Sequence, residues 1–163
     1  MKPEFKFFGK GFLGIFLAGM LWGIVLAFIT GIILLRHFFF IESEATGSFE
    51  DTVKNVSSSA AKLPGWNLRS AACSMPRPQD GSQFAMMSMC GMGVVGQMVD
   101  DPESRKYAAL NPCGIVVYTG KDGKIRIARL NARLLGHILG GKAEILYNKD
   151  AAPAMEFVTD EIK

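Results

Sequence analysis

The sequence predicts an α+β protein: one N-terminal transmembrane helix, then a small two-layer domain with helices on one face of a mostly antiparallel sheet. Three observations carry that prediction. Residues 11–35 contain no charged side chain. Two runs rich in β-branched residues flank an Asp122-Gly123 turn signal, which marks a hairpin. The elements around that hairpin read α-β-β-(α)-β-β-α-α, and runs of this kind segregate helices to one side of an antiparallel sheet. A chain of 163 residues holds one domain of ordinary size plus an anchor, and not two domains. A net charge of +3, with no basic stripe interleaved with aromatics, excludes nucleic acid as a partner.

The first element is the membrane helix. About 20 apolar residues cross the hydrocarbon core of a bilayer, and residues 11–35 suffice with some tilt. A secretory signal peptide has an apolar stretch of only about 7–15 residues. Ser43-Glu44-Ala45 has the form of a cleavage site, but the stretch before it is too long, so an uncleaved anchor is expected. Lys2, Lys6 and Lys10 precede the span, whereas Arg36 is the one strong base after it until Lys54. That asymmetry holds residues 1–10 in the cytoplasm. Residues 11–41 then form the span and its outer interface, where Phe38, Phe39 and Phe40 sit beside a snorkelling Arg36. Residues 42–47 read as a linker, and 48–163 as a domain exported to the periplasmic side of an inner membrane.

Ser48 caps a helix with Asp51 three residues on, and Phe49, Val53, Val56, Ala60 and Leu63 line its apolar face. Pro64-Gly65 stops it, and residues 66–73 alternate as a strand. After a Pro- and Gly-containing loop, residues 84–89 read as a buried strand and 91–99 as a short helix ending before Asp100-Asp101-Pro102. The hairpin pairs residues 114–119 with 124–129. Asn131 caps a helix bearing Leu134, Leu135, Ile138 and Leu139, closed by Gly140-Gly141. A last helix at 152–162 buries Met155 and Val158, with Phe157 beside them.

Taken together, Cys90 closing a strand, the Asp101-Pro102-Glu103 turn, Asn111-Pro112-Cys113, the strand from Ile115 to Tyr118, the turn Lys121-Asp122-Gly123 and Asn131 before Leu134-Leu135 form an array. It resembles domain-of-unknown-function family 302 (DUF302), as does the opening Ser48-Phe49-Glu50-Asp51-Thr52-Val53 with Gly65-Trp66. The resemblance covers roughly residues 46–162 and rests on order and spacing rather than on one motif. It implies a two-layer fold that often pairs into dimers, and no established activity or catalytic residue. The membrane anchor and the Met-rich run 86–92 depart from the family pattern.

An oxidising compartment favours disulfides. Cys90 ends one strand and Cys113 begins another, so they are the candidate pair, with Cys73 left over. Closing such a loop contributes about 3 kcal/mol in the chain-entropy model; the alternative is two buried thiols packing as small apolar groups. Thioether and thiolate are soft ligands, which makes Cys90, Cys113, Met89 and Met92 the candidates for a copper site. Methionines that fill core gaps are the commoner use: Met87 and Met89 would alternate into the core, and Met92 and Met98 would pack a helix. His137 is expected to face solvent; as a haem ligand it would need a partner, and the other histidine is His37. Cys-x-x-Cys-His, Gly-x-x-x-x-Gly-Lys-Ser/Thr, His-Glu-x-x-His and Gly-x-Ser-x-Gly do not occur in the sequence, so nothing in it supports an enzyme.

Gly19, Gly23, Ala27 and Gly31 recur every four residues along the membrane helix, and Gly14 and Ala18 add a second small pair. Such a stripe lets another helix approach closely in lipid. The expected partners are therefore membrane lipid and a transmembrane helix, of another protein or of a second copy. The leading expectation is a non-enzymatic, cofactor-free interaction module, an accessory subunit of a membrane complex of respiratory or redox type. The alternative is a periplasmic redox or metal-handling protein that binds copper or haem.

Overall fold

The computed structural model describes residues 10–70, 78–110 and 113–162. The chain divides after His37 into a helical unit and a compact domain. The helix, α1 (Lys10–Phe38), has 29 residues, about 43 Å at 1.5 Å per residue. Its segment Gly14–Phe38 is long and apolar enough to cross a membrane. No side chain of that segment's most apolar window is buried, and Trp22 and Phe28 are well exposed. Lipid is the solvent in which such a surface carries no penalty.

The domain begins where a linker was expected. Residues 42–47 contain no free-standing linker: Phe40–Glu44 form β1, one of the two edge strands of the sheet, paired antiparallel with the second strand of the hairpin. Phe39 stands between α1 and β1. Its backbone carbonyl accepts from Asn131 N at 2.9 Å, and the Asn131 side-chain amide donates to Phe38 O at 3.0 Å. Phe38-Phe39-Phe40-Ile41 continues the apolar run of the helix, which disguises the strand in the sequence.

α2 (Phe49–Ala61) has the expected cap. Ser48 Oγ accepts from Asp51 N at 3.1 Å and donates to the Asp51 carboxylate at 2.7 Å. Val56 and Ala60 are buried, with Phe49, Val53 and Leu63 packed around them. Four strands complete the sheet: β2 (Trp66–Ser70), β3 (Phe84–Gly91), β4 (Cys113–Thr119) and β5 (Ile125–Leu130). The order is β1-β5-β4-β3-β2, and every neighbouring pair is antiparallel. The second half of the strand expected at 66–73, including Cys73, lies outside the described residues. Trp66 pairs with Gly91, and its ring occupies the space a Cβ would take, 2.8 Å away, so glycine is required there. The β4–β5 turn closes through Gly120 and Gly123, the latter at φ +77°.

α3 (Met92–Asp100) follows β3, and Arg105–Leu110 adds an unforeseen 3₁₀ turn. α4 (Ala132–Leu139) starts at its Asn131 cap, whose Oδ1 accepts from Leu134 N at 3.1 Å. Ile138 is exposed rather than packed, because Gly136 faces the interior in its place. The sequence pattern assigns no element between Gly140-Gly141 and the helix expected at 152–162. The region 141–151 forms α5 (Gly141–Leu146) and a π-helical turn (Tyr147–Ala151), running on into α6 (Ala152–Asp160). Ala143, Leu146, Tyr147 and Ala151 are its buried stripe, and Tyr147 Cβ lies where Gly136 would carry its own. Met155 and Val158 of α6 are buried as expected, while Phe157 is substantially exposed. The core lies between these helices and one face of the sheet, and includes Met87, Met89, Ile115, Val117 and Ile127.

Candidate interaction surface

Strand geometry sends alternate side chains to opposite faces. On the other face of the sheet the register lines up Phe84, Tyr118, Arg126 and Glu44 in one row, and Met86, Val116, Ala128 and Glu42 in the next. A third row has Ser88 beside Gly114 and Phe40 beside Leu130. The small residues Gly114 and Ala128 lie between larger ones and leave a groove of about 520 Å³, lined by Phe40, Phe84, Met86, Val116 and Leu130 among others. Phe40, Phe84 and Met86 are exposed.

One end of this face is polar and internally neutralised. Tyr118 OH donates to Glu42 at 2.6 Å, and Arg126 reaches Glu42 at 3.4 Å and Asp122 at 2.7 Å. Lys124 bonds Glu44 at 2.8 Å. Partial burial, then the Glu42 carboxylate beside it, pushes the Tyr118 phenol up from its usual range. Glu44 holds the Lys124 ammonium protonated further into alkali. These pairs are solvated, so they set orientation more than they stabilise.

The cysteines sit on neighbouring strands, as expected, but on opposite faces. Met89 pairs with Cys113 on the core face, so Cys90 belongs to the open face, opposite Asn67. Both are free thiols in this structure, and because their positions differ by one in register the two candidate partners leave opposite faces of the sheet. The same parity separates the soft-ligand candidates. Met89 and Cys113 are buried together, Cys90 is partly exposed across the sheet, and Met92 is exposed at the start of α3 rather than packed. Burial, reinforced by nearby Cys90, pushes the Cys113 thiol up to about 11, so it is protonated at neutral pH. Met87, Met89 and Met98 are fully buried gap-fillers. His137 is exposed and bonded to Glu144 at 2.6 Å. Among the described residues, no three His, Cys, Asp or Glu side chains converge in a metal-binding arrangement.

In α1 the small-residue stripe is sterically open: a Cβ built at Gly14, Gly19, Gly23 or Gly31 meets nothing within 4 Å. The open sheet face, by contrast, was not foreseen. Its signal was present in Ile115-Val116-Val117 and Phe84-Ala85-Met86-Met87, where apolar residues occupy both alternating positions. Continuous apolar strands mean two apolar faces.

No family model matches the sequence, and no curated protein matches it. Among solved structures, the chain is similar to the crystal structure of an uncharacterized conserved protein DUF302 from Bacillus stearothermophilus. The match has a TM-score of 0.58 and 14% identity, and covers 77% of this chain and 98% of the other. At that identity the likeness concerns the fold. The region following the apolar N-terminal helix therefore has the fold of a DUF302 domain.

Proposed function

We propose that this protein is a membrane-anchored, exported interaction module, an accessory subunit that docks on a membrane protein complex rather than catalysing a reaction. The observation that carries the reading is the open sheet face. Exposed apolar surface that is contiguous and rimmed by polar residues marks a binding surface in a soluble domain. The small-residue stripe of α1 supplies a second contact, with a helix of the same complex. The copper or haem alternative would need Cys90, Cys113, Met89 and Met92 to converge, and the sheet divides them. The lysine-rich leading flank supports a cytoplasmic N-terminus and a periplasmic domain. A phosphatase fused after Lys163 is then active, and an inactive fusion would reverse the orientation.

The direct test places a photo-crosslinking residue at Val116 on the open face, and for comparison at Lys54 on the exposed side of α2. In native membranes, Val116 should give one protein adduct, identifiable by mass spectrometry, that Lys54 does not. Adducts to lipid alone, or equal labelling from both positions, would overturn the accessory-subunit reading.

A further inference from the structure

We draw no further inference here: the strongest candidate, the apolar groove on the open face of the sheet between Phe40, Phe84, Met86 and Leu130, is the surface on which the proposed function already rests, and nothing in the structure shows what covers it.

Discussion

The two faces of the sheet are built from the same strands and both carry large apolar side chains, yet those side chains have different fates. On one face Met87, Met89, Ile115, Val117 and Ile127 are at most 1% exposed beneath the helical layer. On the other, Phe40, Phe84 and Met86 are 59%, 42% and 38% exposed. The helical layer covers the first set and leaves the second open beside a polar end formed by Glu42, Glu44, Tyr118 and Arg126. The helices present their apolar stripes to one face only, so the domain folds on one face and keeps the other available. Stability is thereby assigned to one set of alternate residues, and the proposed function assigns binding to the other set on the same strands.

The sharpest way to break that comparison is a neighbouring pair of truncations. Ile115→Ala removes a fully buried side chain and should cost about 2–5 kcal/mol, read as a lower thermal or denaturant midpoint. Val116→Ala, one residue on and facing outward, should cost well under about 1 kcal/mol. Equal losses would mean that both faces are core.

Alkaline titration probes the covered face without deleting bulk. The Cys113 pKa is raised by burial from its ordinary 9.0 to about 11. The folded state therefore favours the neutral thiol. That contribution is complete below pH 9 and is lost as pH rises toward 11, by up to about 1.4 kcal/mol per pH unit. Cys113→Ala should flatten the decline in that window. Tyr147, pushed from 10.0 up to about 12 chiefly by burial, adds its own loss between pH 10 and 12, so it overlaps the upper half of that window. A decline between pH 9 and 11 that is unchanged by Cys113→Ala would show that another group controls it.

Gly136→Ala tests the helical layer itself. Its new Cβ would lie 2.9 Å from Tyr147 Cβ and 3.4 Å from the Glu144 carbonyl oxygen. The overpacking should cost about 1–3 kcal/mol in unfolding experiments. In the membrane helix no stability loss is expected from Gly23→Leu, since leucine is favoured over glycine in lipid. Membrane levels should persist while co-purification with the complex falls severalfold, with Val25→Leu silent. Unchanged co-purification of the Gly23 variant would remove the stripe from the interface.

Features encoded locally were legible in the sequence. The Ser48 and Asn131 caps, the Asp122-Gly123 turn and the Pro64-Gly65 stop each depend on a few adjacent residues. β1 was not legible, because its strand identity is defined by distant β5, while Phe40 and Ile41 extend the apolar run of the helix and Glu42-Ser43-Glu44 read as a polar linker. α5 and the π-helical turn begin at two glycines and pass through Asn148, Lys149 and Asp150, so polar, turn-forming residues hid a buried stripe. For Cys90 and Cys113, strand adjacency could be read and facing could not. Parity requires exact register, and a shift of one residue exchanges the faces.

The division of labour between the faces is tested most directly by Val116→Glu, which places a charge at the centre of the open face. Thermal unfolding and membrane level should match the parent chain, because the new carboxylate is solvated. Co-purification with the membrane complex should be lost, because docking would bury that carboxylate without a partner. Retained co-purification would show that the open face is not the binding surface, and a large drop in unfolding temperature would show that it belongs to the core.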